Sequence, residues 1–411
     1  MKIAYLVSRF PKISETFVLR EILEIMKLDC EIRVFPLVRE AEGVSHEEVS
    51  DIEDRVQYNC RIADAAAAHA HWIRTRPAVY FGTWGKILAG HLRSPPFLAR
   101  SVAVMIKSVF WARKLEEWKA DCIHAHWATH PALGAYIINR LTGIPYGFTA
   151  HAHDIYVARP MLAEKIRNAG YVCAISEYNK SLLCSLYGRD LTRGVSVVRL
   201  GVDTKVFAPP QKRPERPPFR IICVAGIEDY KGYPELIKAL SFMKDNGRHF
   251  VCHCIGEGKL RGMVDKLIKQ YGLEKEVVLL GRRTWRCVHE YMSKAHCAVL
   301  ASTIPKSGRH EGIPVAMMEA LAMGLPAVAT RISGVPELIE DGKTGLLAEA
   351  GDPGGLARAL ERIYDDPGLS DRLASAGRER VVREYDLALN AAMLHRLQRH
   401  CAGNNTTIAD A

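Results

Sequence analysis

No stretch of this 411-residue chain approaches the ~20 consecutive apolar residues needed to cross a bilayer. The opening MKIAYLVSRF is too short and too soon interrupted by charge for a secretory signal, and reads as a first buried strand. The 11 cysteines have no framework spacing, and several, including Cys173, Cys223 and Cys297, sit in apolar runs where a free thiol packs as a small core residue. A reducing, cytoplasmic setting is expected. Zinc-finger, RNP-type and basic-zipper patterns are absent, which argues against a nucleic-acid partner. The loop after the first strand has no glycine, so it is not a dinucleotide fingerprint. There is no HExxH and no clear DxD metal motif.

What remains is an ordinary globular composition, 48% hydrophobic and 25% charged, long enough for two or three domains. The net charge of +10 implies attraction to something anionic, such as a membrane face or phosphorylated substrates. Strand-like runs at 2–7, 31–37, 121–127, 146–154, 171–176 and 195–200 alternate with helical stretches. This is how doubly wound α/β folds begin, with ligands at the carboxyl ends of the strands. Residues 208–218, APPQKRPERPP, read as an interdomain linker. A second β/α series follows, with strands at 220–225, 251–255, 277–280, 298–301 and 327–329. The expectation is an α/β protein with two doubly wound Rossmann-like domains facing across a cleft. They are an N-terminal domain at 1–207 and a C-terminal domain at 219–376. A helix at 377–402 would pack back on the first domain, before a polar tail at 403–411.

Between Lys86 and Lys119, seven Lys/Arg stand against two Glu, mixed with Phe97, Leu98, Val102, Met105, Ile106, Phe110 and Trp111. Basic amphipathic helices with aromatics lie on anionic membranes. Peripheral contact through 86–119 is therefore expected, against the plainer reading of a domain helix with a solvated basic face.

Five histidines, His124, His126, His130, His151 and His153, lie within thirty residues beside Asp154. Imidazole and carboxylate suit zinc or iron, so a metal-dependent hydrolase built on His151, His153 and Asp154 is one reading. Strand period alone also puts His-x-His on one face.

The most informative stretch is RHEGIPVAMMEALAMGLPAVAT, residues 309–330. Pro314 suits the first position of a helix, and Gly324 with Pro326 reads as its stop. Val315, Met318, Leu321 and Ala322 recur at helical spacing and give a buried face. Glu311 then precedes the helix, and Glu319 lies about 8 Å along its axis. Free amides and the dipole make such a terminus an anion site, and flanking carboxylates can accept hydrogen bonds from sugar hydroxyls. The alternative is a buried helix with one dipole-favoured and one solvated glutamate. Upstream, Gly226-Ile227-Glu228-Asp229-Tyr230-Lys231-Gly232 follows a strand, and Lys231 there can neutralise phosphate. Gly256-Glu257-Gly258 follows the next strand.

These segments carry a resemblance. EGIPVAMMEALAMGLPAVAT and SGVPELIEDGKTGLLAEAGD resemble the signature of the retaining family 4 glycosyltransferases of the GT-B fold. FPKISETF with IHAHWATHPALGAYIINRLTGIPYGFTAHAHDIY resembles the branch that builds bacterial exopolysaccharides of the colanic-acid type. The resemblance implies that a hexose moves from a nucleotide-diphosphate sugar, a UDP-sugar foremost, to a glycan or lipid-linked acceptor. It implies no cofactor and no metal, and a place at the inner face of the plasma membrane. Glu311 would hold donor-sugar hydroxyls and Glu319 the ribose. Gly312, Ile313, Pro314, Val315 and Ala316 would surround the diphosphate, with Lys231 and Gly226 beside it. Gly281, Arg282 and Arg283 would face the base. His151 would stand beside donor sugar and acceptor. Ser14, Glu15, Thr16, His126 and Asp154 would lie on the acceptor or phosphate side.

The resemblance also implies front-face displacement, in which the departing phosphate takes the acceptor's proton and the anomeric configuration is kept. One position departs from the pattern. An arginine is usual after the glycine aligned with Gly226, and Ile227 stands here. Either phosphate is held more weakly, or Arg282, Arg283 or Lys306 compensates. A non-catalytic nucleotide-sugar binder is the second alternative.

Overall fold

The computed structural model describes residues 1–12, 15–40, 47–58, 61–92 and 94–403. Ser14 and most of the polar tail lie outside the described residues. The chain divides into two compact units: Met1–Val198 with Ala391–Ala411, and Arg199–Asn390.

Unit 1 is built on β1 (Lys2–Phe10), β2 (Glu31–Arg39), β3 (Cys122–His126), β4 (Tyr146–Ala150), β5 (Tyr171–Ala174) and β6 (Val195–Val197). All pair in parallel, in the order β2-β1-β3-β4-β5-β6. The near-continuous apolar sequence of β1 follows from burial on both faces. Ala4 and Leu6 enter one core with Met105 and Trp111 of the helix Pro95–Trp118 and Tyr136 of His130–Thr142. Ile3, Tyr5 and Val7 enter the other with Val18, Leu19 and Ile22 of Thr16–Met26, and with Ala391, Leu394 and Cys401.

This packing corrects part of the reading of 86–119. Met105, Phe110 and Trp111 are buried, because one face of the sheet needs an apolar cover. Ile106 of the same helix stays exposed, and further apolar exposure lies on the preceding helix Pro77–His91 and just beyond it, at Phe81, Leu88 and Leu92. Among the described residues no helix is long and apolar enough to cross a membrane.

Unit 2 contains β7 (Phe219–Val224), β8 (Phe250–Ile255), β9 (Val277–Gly281), β10 (Cys297–Leu300), β11 (Ala327–Arg331) and β12 (Leu346–Glu349). The order is β12-β11-β10-β7-β8-β9, again parallel. The edge strand β12 was not foreseen; it is four residues long and follows a glycine-bearing turn, too short for a periodic signal. The proline-dense stretch 208–218 falls within unit 2. Arg213 fastens it by donating to the carbonyls of Met292, Ala295 and Met323. In place of one final helix there are two, Pro367–Glu384 and Leu387–Gly403. Tyr385 is buried at the break, and Asp386 Oδ1 accepts from the amide of Ala388 at 3.0 Å to start the next helix.

Candidate active site

In unit 2 the chain steps from β7 to β8 on one side, and β10 returns to β7 on the other. Open parallel sheets bind ligands at such a switch point, beyond the strands' carboxyl ends. The loops after β7 and β10 meet there. Gly232 has φ +64°, and a Cβ on it would stand 1.7 Å from the carbonyl oxygen of Ala301. Only glycine permits that approach. The amide of Thr303 donates to the carbonyl of Tyr230 at 2.8 Å and completes the seam.

The seam brings Lys231 to Glu311. The ammonium donates to Oε2, and both side chains are nearly buried, 14% and 11% exposed. Ser302 Oγ donates to the same oxygen at 3.3 Å, and Thr330 Oγ1 holds the Ser302 carbonyl at 2.6 Å. Glu311 Oε1 has no hydrogen-bond partner among the described residues. Burial works to lower the Lys231 pKa, but the charge of Glu311, Tyr230 and the hydrogen bond outweigh it and leave it raised. The lysine is a fixed cation. Its Nζ lies 4.9 Å from the Tyr230 ring centroid, and the guanidinium of Arg309 lies 4.8 Å from the same centroid.

The helix after this loop is Val315–Ala322. Pro314, expected at the first helical position, is instead the N-cap residue, with φ −77° and ψ 117°. Val315 and Ala316 therefore supply the first two helical amides, which have no acceptor within the helix. Both residues are partly exposed, whereas Gly312 and Ile313 are buried. Glu319 is buried on the second turn.

Ile227 is 1% exposed. Its amide donates to the carbonyl of Glu257 at 3.1 Å, and its own carbonyl accepts from Leu260. A Cβ on Gly258 would lie 2.3 Å from that carbonyl oxygen, so the Gly-Glu-Gly loop exists to let two backbones touch. The residue after Gly226 is thus packed in the core. Gly281, Arg282 and Arg283 sit at the end of β9, with both arginines exposed, and Lys306 is exposed in the loop after β10.

In unit 1 the switch point lies between β1 and β3. His151 follows β4, is 6% exposed, and its Nε2 lies 3.2 Å from Nδ1 of His126. Burial, then proximity to His126, pulls the His151 pKa well below the usual imidazole range, so the ring is neutral. Its ring centroid is 5.2 Å from that of Trp127, which has φ +75°, and 5.4 Å from that of Phe17. A left-handed tryptophan is strained, and such residues cluster at functional sites.

Two residues expected on the acceptor side prove to be supports. His126 is 0% exposed, and both its ring nitrogens are taken, by His151 and by Glu21 at 3.1 Å. Asp154 is 1% exposed, and its Oδ2 accepts from the amides of Ala128 at 2.6 Å and His151 at 3.2 Å. It clamps the loops after β3 and β4 together. Glu15 and Thr16 stand at the start of the helix Thr16–Met26, where Glu15 Oε1 is paired with Lys12.

The hydrolase triad is not assembled. Oδ2 of Asp154 and Nε2 of His151 are committed as described, and His153 is exposed. Among the described residues the group whose ligand atoms converge is Glu21, His124 and His126.

Two family models tile the chain. The one described as Glycosyltransferase Family 4 matches residues 15–206, and the one described as Glycosyl transferases group 1 matches 206–380. The chain belongs to the group 1 and family 4 glycosyltransferases. This glycosyltransferase is 26% identical to a putative colanic acid biosynthesis glycosyltransferase, WcaL, of Salmonella typhimurium, over 97% of this chain and 100% of that one. It is 34% identical to the amylovoran biosynthesis glycosyltransferase AmsK of Erwinia amylovora over 47% of each chain. A glycosyltransferase from Rickettsia africae has the same fold, with a TM-score of 0.73, 17% identity and coverage of 98% and 99%. So does Anabaena HepE, solved in complex with UDP-glucose, with a TM-score of 0.69, 18% identity and coverage of 96% and 98%. Two doubly wound parallel sheets, shared with these solved glycosyltransferases, are the GT-B fold.

Sequence reasoning missed Glu21, Trp127, Tyr230, Ser302 and Arg309 in this glycosyltransferase. Tyr230 and Arg309 flank residues that were singled out, and Trp127 ends a strand run. Glu21 left no signal, since a glutamate in an amphipathic helix reads as solvated.

Proposed function

We propose that this is a retaining hexosyltransferase. It uses a nucleotide-diphosphate sugar, UDP-linked, and builds an exopolysaccharide or cell-surface glycan on a glycan or lipid-linked acceptor. The observation that carries the reading is the Lys231–Glu311 pair at the β7/β10 switch point, directly before the amides of Val315 and Ala316. Such a site combines a fixed cation, a helix N-terminus and a carboxylate oxygen with no hydrogen-bond partner among the described residues. The first two stabilise a departing diphosphate without a metal ion, and the third accepts from a sugar hydroxyl.

Glu311 is held by Lys231 and Ser302. It therefore grips a hydroxyl rather than attacking carbon, which favours front-face displacement with retention. Glu319 is assigned to the ribose, the loop at Gly281–Arg283 to the base, and neutral His151 to a hydroxyl of acceptor or donor sugar. The UDP preference draws on HepE, solved with UDP-glucose. The glycan class draws on the relatives named for colanic acid and amylovoran synthesis. Peripheral contact with the inner face of the plasma membrane is supported by exposed Phe81, Leu88 and Leu92 near Lys86.

The test is a thermal-stability screen against UDP-, GDP- and ADP-sugars, with and without chelator. A ligand at a hundred times its Kd should add about 2.7 kcal/mol of stability. A shift with a UDP-sugar that survives chelation, and product with the donor's anomeric configuration by NMR, support the reading. A shift only with another base, a chelator-sensitive one, or an inverted product overturns the corresponding part.

A further inference from the structure

Unit 1 contains a buried hydrogen-bond chain that runs from the last helix to His151. Gln398 Nε2 donates to the hydroxyl of Tyr5 at 3.2 Å. That hydroxyl donates to Oε1 of Glu21 at 3.0 Å. The same Oε1 lies 3.1 Å from His126 Nε2, and His126 Nδ1 lies 3.2 Å from His151 Nε2. Tyr5, His126 and Gln398 are 0% exposed.

The polarity of this chain follows from what each group can do. A side-chain NH2 only donates, so the Tyr5 oxygen accepts from Gln398 and sends its proton to Glu21. A carboxylate only accepts, so His126 presents N–H at Nε2 to Glu21. When His126 carries a single proton, its Nδ1 is then a lone pair, and it accepts from His151. His151 must carry its proton on Nε2. Its Nδ1 is left as a bare acceptor, with no hydrogen-bond partner among the described residues.

We infer that Glu21, acting through His126, sets the tautomer of His151, so that His151 Nδ1 accepts a hydrogen bond from a substrate hydroxyl. Glu21 and His126 are positioning residues; neither touches substrate. The inference rests on the proposed function, because it takes His151 as a substrate contact. It names which atom makes the contact and which proton arrangement it needs. His124 is a bystander: its Nδ1 pairs with the Tyr171 hydroxyl at 2.8 Å and its Nε2 with Thr149 Oγ1 at 3.3 Å.

The experiment is 15N NMR of the full chain labelled at histidine, at pH 8, with His151 assigned by its loss in His151→Gln. The imidazole nitrogen shifts report which nitrogen carries hydrogen. Protonated Nε2 and bare Nδ1 on His151 are expected in the wild type; a proton on Nδ1 overturns the inference with no variant needed. In Glu21→Leu the His151 signals should move toward a mixture of tautomers, and kcat should fall about tenfold, a hydrogen bond's worth, with donor KM unchanged. In Glu21→Gln, whose carbonyl can still accept, both should return towards wild type. An unmoved His151 spectrum in Glu21→Leu overturns the inference, as does Glu21→Gln behaving like Glu21→Leu. Failure of the functional reading looks different: His151→Ala would then transfer sugar normally, whatever the tautomer.

Discussion

Lys231 and Glu311, eighty residues apart in the chain, share one hydrogen bond, through which the cation expected to hold phosphate and the carboxylate expected to hold sugar restrain each other. Neither can be removed alone without leaving a nearly buried charge unpaired. Breaking a buried pair costs roughly 3–5 kcal/mol, more than most surface substitutions by far. Lys231→Ala and Glu311→Ala should therefore lose transfer and also unfold at lower denaturant. The double variant Lys231→Met/Glu311→Leu should recover stability but not activity. Removing the cation should lower kcat by about 10²–10³-fold, as removal of one preorganised donor does. Denaturant titration beside initial rates checks both parts; a double variant as unstable as the singles would contradict the pairing.

Gly232→Ala tests the seam that makes this pair. The added methyl meets the Ala301 carbonyl, and φ +64° disfavours any side chain. The loop after β7 must shift, carrying Lys231 with it. Donor-dependent stabilisation should weaken more than global stability does. Gly262→Ala, on a helix with open space at the Cβ, is the control: it should leave donor-dependent stabilisation unchanged and, if anything, raise global stability slightly.

Burial depresses the Lys165 pKa to about 7, with Asp154 partly offsetting it, from an ordinary 10.5. Its ammonium donates to the carbonyls of Ala128 and Thr129. Above pH 7 and below the ordinary lysine range, the unfolded chain binds a proton that the folded one does not. Stability should therefore rise with pH across that window, and this contribution should stay constant below it, where both states are protonated. Lys165→Met should flatten the rise. Urea unfolding at pH 7, 8 and 9 reads the slope directly; equal slopes in the two proteins would refute the assignment.

Phe81→Asp with Leu88→Asp should reduce sedimentation with anionic vesicles and leave thermal stability nearly unchanged, since both residues are exposed. Trp111→Ala should do the reverse, costing about 3–5 kcal/mol through lost packing while sparing vesicle binding. Unchanged sedimentation of the double aspartate variant would dispose of the membrane reading.

Much of the fold was legible because parallel strands buried on both faces read as apolar runs, and β1 and β10 do so plainly. β12 was invisible because four residues at a sheet edge carry no period. The helix Val315–Ala322 and its flanking glutamates were legible because one contiguous segment holds them. What lay hidden was long-range: the partner of Glu311, the inward turn of Ile227, and the service of His126 to His151. Each depends on which loops the sheet order brings together. Asp154 looked like chemistry because it adjoins histidines, yet burial and two backbone amides give it a structural task.

The second core of unit 1 joins residues from both extremes of the sequence: Ile3, Tyr5 and Val7 of β1 pack with Ala391, Leu394 and Cys401. Synthesis delivers those partners in the worst order for unit 1. The helix Thr16–Met26 can cover part of that face of β1 early, but the rest waits for residues 391–401, whereas unit 2 is continuous from Arg199 to Asn390 and can close as soon as it leaves the ribosome. The half that is made first is therefore the half that finishes last, and a nascent chain stalled before residue 391 would leave open for chaperones the part of that core which Ala391, Leu394 and Cys401 complete.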